Sequence, residues 1–188
     1  MNSNSLPLRN KFLVALPSMN DGTFSQTVTY ICDHGEDGTM GIIINQPLAL
    51  SLPDVFKQLN FPNAIELPDN LAVLKGGPVK PQRGCLLHTT ASTQWSTSMN
   101  ITPELVLTAS KDVLESIACG QGPEHYLFAL GFAGWSAGQL EQELKDNCWL
   151  TVDADLDTLF HCPIATRWQS LYAKMGLDPS FITEGGNA

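Results

Sequence analysis

Short apolar runs broken by polar turns set the architecture that this chain predicts. Phe12–Leu16 and the β-formers of Thr27–Cys32 read as strands, with a turn over Pro17–Gly22 and a polar hairpin-like loop over Asp33–Gly38. Met40–Asn45 (MGIIIN) is almost wholly apolar, as a strand covered on both faces is. Asn45-Gln46-Pro47 ends that strand. Leu52, Val55, Phe56 and Leu59 then recur at helical spacing behind Ser51, which forms a capping box with Asp54. Ala72–Lys75 and Gly84–Thr89 read as two further strands, the first running into Gly76-Gly77-Pro78. Thr102-Pro103 places proline at a helix start, and Leu105, Val106, Ala109, Val113, Leu114 and Ile117 carry a helical stripe as far as Gly120.

The segment Leu127–Leu150 is the most informative. It reads as a buried strand, a glycine-punctuated turn, a short amphipathic helix and the start of another strand, Cys148–Val152. A last helix opens at Pro163, carries Ile164, Trp168, Leu171, Tyr172 and Met175 as its stripe, and stops at Gly176. Strands and helices intermix without regular βαβ alternation, so the predicted class is α+β in a single compact domain over residues 11–188, behind a loose segment at 1–10.

Composition narrows the function classes. The chain has 188 residues, 43% hydrophobic, enough for one sizeable core. Its formal charge is −9, and the acidic excess lies after Pro81, with a cluster at Asp153, Asp155 and Asp157. Nucleic-acid affinity comes largely from neutralised phosphates, so this balance argues against direct nucleic-acid binding. The apolar runs are too short for a membrane span or a signal-peptide core. The five cysteines are widely spaced, with no C-x-x-C. Reduced thiols in the cytoplasm are the expectation.

Several blocks, in one order, carry a family resemblance: FLVALPSMNDGTF (Phe12–Phe24), MGIIINQP (Met40–Pro47), GGPV (Gly76–Val79), RGCLLH (Arg83–His88), LGFAGWSAGQLEQEL (Leu130–Leu144) and NCWL (Asn147–Leu150). The chain resembles the YqgE/AlgH family of small bacterial proteins. The resemblance implies a mixed, partly barrel-like β-sheet flanked by helices. It implies no catalytic residues and no cofactor. The family name points to a transcriptional regulator, yet no helix-turn-helix or basic recognition helix is legible here.

Candidate chemistry centres on a few residues. Gly134-Trp135-Ser136-Ala137-Gly138 spells the G-x-S-x-G of a nucleophile elbow, with Asp153, Asp155 or Asp157 and then His161 following in triad order. Against this, Ser136 precedes a helix and Gln139 stands three positions on, the spacing of a capping box. The family pattern implied by the resemblance also accepts glycine in place of Ser136. Cys162 lies between His161 and Pro163 at the predicted helix start, where a thiol pKa falls, so a redox sensor is a third class. The pairs Cys32/His34 and Cys85/His88 fit no zinc-module spacing, and no metal site is expected. The remaining candidate is a binding site formed by Gly76, Gly77 and Arg83 on one side and Trp135 on the other. A glycine turn and a guanidinium suit a small anion or a protein partner. The reading is a binding or regulatory protein; the alternatives are a hydrolase at Ser136 and a thiol sensor at Cys162. The sequence does not fix the oligomeric state.

Overall fold

The computed structural model describes residues 7–61 and 64–182. Ten strands and five α-helices follow in the order β1 (Lys11–Ala15), β2 (Val28–Gly35), β3 (Gly38–Ile43), β4 (Pro47–Ser51), α1 (Leu52–Gln58), β5 (Ala72–Lys75), β6 (Val79–Thr89), β7 (Ser98–Asn100), β8 (Leu105–Thr108), α2 (Lys111–Ala118), β9 (Tyr126–Trp135), α3 (Gln139–Lys145), β10 (Trp149–Asp153), α4 (Leu156–Phe160) and α5 (Arg167–Lys174). They form one α+β domain around a curled, half-barrel-like sheet. Its main path is β10-β1-β2-β3-β9-β6-β8-β7, while β5 pairs parallel with β9 and antiparallel with β4.

The curl originates in β9. Residues Phe128–Leu130 lie between β5 and β6, whereas Ala133–Trp135 pair with β3. The exchange of neighbours occurs at Gly131, which has a φ of 74°. There the backbone of β9 meets Gly76 and Gly77 so closely that a Cβ on either glycine would fall inside the main-chain atoms of Gly131 or Phe132. Gly76 bridges the two halves, donating to Leu130 O and accepting from Ile43 N, each at 2.8 Å.

Three apolar clusters result. The first fills the concave face, where Trp168, Leu171 and Tyr172 of α5 pack on Phe12, Tyr30 and Ile42. Trp168 Nε1 and Tyr172 Oη both donate to Ala15 O, at 2.8 and 3.0 Å. The second lies between the sheet and the short helices α1 and α2. The third, under α3, joins Leu8, Trp135, Leu140 and Trp149.

Several expectations need correction. The predicted helix from Thr102 is a strand followed by a shorter helix. Leu105–Thr108 pairs with β6 and is buried throughout, so sheet pairing overrides the helical stripe. Thr102 Oγ1 accepts from Glu104 N and Leu105 N in a turn, without opening a helix. Strands β4 and β7 and helix α4 were not foreseen. Asp155, within the acidic cluster, caps α4 by accepting from Thr158 N at 2.8 Å. Of the segment expected to be loose, residues 1–6 lie outside the described residues. Leu8 is buried, and Arg9 donates to the carbonyls of Asn100 and Ile101. The capping box of Ser51 and Asp54 is present as expected.

Candidate functional site

Ser136 is exposed at the end of β9. Its hydroxyl donates to Gln139 Oε1 at 3.1 Å and its N–H donates to the same oxygen at 3.0 Å. The glutamine half of a capping box therefore forms, but the serine half does not. The N-cap of α3 is Gly138, in the left-handed region, and Gln139 N donates to Ser136 O. Among the described residues no histidine or aspartate meets the Ser136 hydroxyl. Of the nominal triad members, Asp153 pairs with Lys11, Asp155 holds Lys174 Nζ at 2.9 Å, and the His161 ring packs edge-on against His125.

Trp135 is buried, not a free stacking face. Its Nε1 donates to Glu143 Oε2 at 2.9 Å, and Trp149 Nε1 donates to that same oxygen at 2.8 Å. Gly76 and Gly77 are buried against β9 and present no backbone to a ligand. Their role is the strand crossing. The fold therefore does not assemble Gly76, Gly77, Arg83 and Trp135 into one site.

The thiols divide by environment. Burial pushes the Cys85 thiol up to about 12, and burial together with the neighbouring Cys85 raises the Cys32 thiol as well. All five cysteines are free. Cys162 does not open a helix. Its N–H donates to Asp157 O, so it closes the C-terminal end of α4, the negative end of a helix dipole. Three residues of 3-10 turn, Ile164–Thr166, separate it from α5. Among the described residues no cluster of three or more His, Cys, Asp or Glu side chains is arranged to hold a metal.

His88 is buried and fully bonded: Nδ1 donates to Thr89 O at 2.7 Å, which leaves Nε2 to accept the Thr108 hydroxyl at 2.8 Å. Burial lowers its pKa below 6.5, with the Thr89 bond opposing. A depressed folded pKa means that the stability is complete above the unfolded value and is lost as pH falls through the folded one. Urea midpoints measured between pH 7 and 5 should fall less steeply in His88→Asn than in the parent chain.

Arg83 stands apart from the other candidates. Between Val79, opposite Phe132, and Gly84, opposite Leu130, β6 carries extra residues that bulge out of the ladder. Bulges re-aim side chains, and this one exposes Lys80 and Arg83. Lys80 has a φ of 45°, in the left-handed region. Among the described residues neither cation has a carboxylate partner. Beside the bulge is a groove of about 500 Å³ between α1 and α2, floored by β6 and β9. Leu50, Val55, Leu59, Leu114 and Leu130 line it, and among the described residues its only charged lining residues are Arg83 and Lys111. The Lys111 ammonium also lies 5.1 Å from the Phe61 ring centroid and 3.6 Å from Glu115. A larger hollow of about 710 Å³ beside His88 is lined mainly by neutral hydroxyl and amide side chains such as Thr90, Gln94 and Ser98. Sequence reasoning found Arg83 but missed the groove, because its walls come from two helices distant in the chain. The signal available was the concentration of aliphatic residues on two helices too short to cover them.

The AlgH-like family model, DUF179, matches residues 12–180. A UPF0301 protein of Saccharophagus degradans is 46% identical over 171 residues, covering 91% of this chain and 83% of that protein. A UPF0301 protein of Thioalkalivibrio sulfidiphilus is 47% identical over 183 residues, covering 95% and 96%. The solution structure of the AlgH protein from Pseudomonas aeruginosa superimposes with a TM-score of 0.77 at 40% identity, over 100% of this chain and 99% of that one. A crystal structure from Corynebacterium diphtheriae shares the fold with a TM-score of 0.72 at 23% identity, over 93% and 90%. With a family model spanning most of its length and relatives this similar over nearly all of it, the chain belongs to the AlgH-like family.

Proposed function

We propose that this protein is a cytoplasmic binding protein and that it holds a small anionic ligand at Arg83. One observation carries the reading. In a chain with a formal charge of −9, the β6 bulge exposes a guanidinium that has no carboxylate partner among the described residues, at the rim of an apolar groove. A planar fork of this kind suits a carboxylate or phosphate. The five free thiols are consistent with a reducing compartment. No helix among the described residues is long and apolar enough to cross a membrane. The net charge disfavours direct DNA binding as the route to any regulatory role. Hydrolysis at Ser136 is disfavoured, because its hydroxyl meets an amide oxygen and, among the described residues, no base.

Two measurements test the reading. A fluorophosphonate probe should leave Ser136 unlabelled, and Ser136→Ala should change stability by no more than about 0.5 kcal/mol. Titration with acetate or inorganic phosphate should shift the amide resonances of Arg83 and Gly84, and Arg83→Gln should abolish these shifts without moving the thermal midpoint. Labelling of Ser136 that is lost in Ser136→Ala would restore the hydrolase. Anion shifts that persist in Arg83→Gln would remove Arg83 from the site.

A further inference from the structure

We infer that the ligand is a single-chain amphiphile, with its anionic head on Arg83 and an unbranched alkyl tail in the groove between α1 and α2. This rests on the reading of Arg83 as the anion contact and specifies what lies beyond the anion. The second apolar cluster is the least completely covered of the three. Helices α1 and α2 span only seven and eight residues, and Leu50, Val55, Leu59 and Leu130 stay half-buried where they pack on it. The groove they leave, about 500 Å³, falls within the range of small-ligand sites.

Charge decides the head. The chain carries 19 acidic residues against 10 basic ones, yet among the described residues no carboxylate lines this groove and both charged lining residues are cations. A cationic head finds no counter-charge there, and a zwitterionic one leaves its cationic group unpaired; a carboxylate or phosphate monoester is matched in full. Of the two cations, Lys111 is shared with Glu115 and Phe61, which leaves Arg83 as the principal contact. The floor favours a slender tail. At Gly84 the Phe128 ring lies where a side chain would stand, so ring and glycine together make a smooth apolar surface under the bulge.

The test is a calorimetric titration of the full chain with acetate, hexanoate, octanoate, decanoate and decyl phosphate, and with decan-1-ol as the headless control, all below micelle formation. Burial of apolar surface predicts a two- to roughly fourfold gain in affinity per methylene, the lower figure where the groove stays open to water. Decanoate and decyl phosphate should both bind, which separates a carboxylate from a phosphate source by their relative affinity. Decan-1-ol should bind at least about tenfold more weakly than decanoate. Arg83→Gln should bring decanoate down to the level of the alcohol. Val55→Trp on one wall, and independently Ala109→Trp on the other, should remove the chain-length dependence while acetate still shifts the Arg83 and Gly84 amides. Using both plugs guards against one variant failing to fold.

Acetate binding at Arg83 with no dependence on chain length would overturn the amphiphile and leave the anion reading intact. Equal binding of decan-1-ol and decanoate, unaffected by Arg83→Gln, would overturn the anion reading and the amphiphile with it. No binding by any member of the series would overturn both.

Discussion

Gly77→Ala is expected to lose at least about 4 kcal/mol of stability, whereas Gly138→Ala loses about 1 to 2 kcal/mol. Both glycines have positive φ, 153° and 76°, so both substitutions incur backbone strain. The difference is packing. Among the described residues a Cβ at Gly138 meets nothing within 4 Å, while at Gly77 it runs into the main chain of Phe132 and Ala133. Backbone cannot swing aside as a long side chain does, so β5 and β9 must separate where β9 exchanges one neighbouring strand for another. Chemical denaturation of the two variants side by side checks this. Equal losses would show that the crossing is not rigid.

Arg167→Met is the second large effect, expected to cost about 2 to 4 kcal/mol. Arg167 is buried and no carboxylate pairs with it among the described residues. Its guanidinium donates instead to three carbonyls: Cys162 O at 3.1 Å, Leu159 O at 2.8 Å, and Ile44 O. It thus ties the start of α5 to the end of α4 and to the segment after β3. Removing a buried charge is favourable in itself. Leaving as many as three carbonyls without a donor costs about 1 to 3 kcal/mol each in full burial, and this outweighs the gain once partial rehydration is allowed for. Burial lowers the pKa of Arg167 to about 10, still well above neutral, so it is charged at the pH of the measurement. Equilibrium unfolding of Arg167→Met, with Arg167→Lys beside it, gives the test. Lysine carries the charge but lacks the planar fork, and it should recover only part of the loss.

These two residues also show what the sequence discloses and what it hides. The strands at Phe12, Thr27 and Met40, and the strand-turn-helix run through Trp135, were legible because each has its own apolar pattern. Leu105–Thr108 was not. Its residues continue the helical spacing of α2, and it is pairing with β6 on one side and β7 on the other, as of Val106 with His88 and Asn100, that makes them a strand. The double glycine at Gly76-Gly77 marked a special place in the chain. Whether it served a ligand or a crossing depended on what lay opposite, and Gly131 and Phe132 are 55 residues further on. Trp135 likewise looked available until Glu143 and Trp149 closed over it. Arg83 was visible because a guanidinium beside a glycine turn suggests an anion whatever the fold. Its bulge and its groove are properties of the pairing of β6 with β9 and of the gap between α1 and α2. No local window contains them.

The most direct measurement of the central claim is an isotope-filtered NOE experiment on uniformly labelled protein with unlabelled decanoate. The account predicts contacts from the terminal methyl and chain protons to the side chains of Val55, Leu59 and Leu114, with the protons nearest the carboxylate touching Arg83. Contacts confined to the hollow beside His88, around Thr90 and Ser98, or the absence of any contact at saturating decanoate, would contradict it.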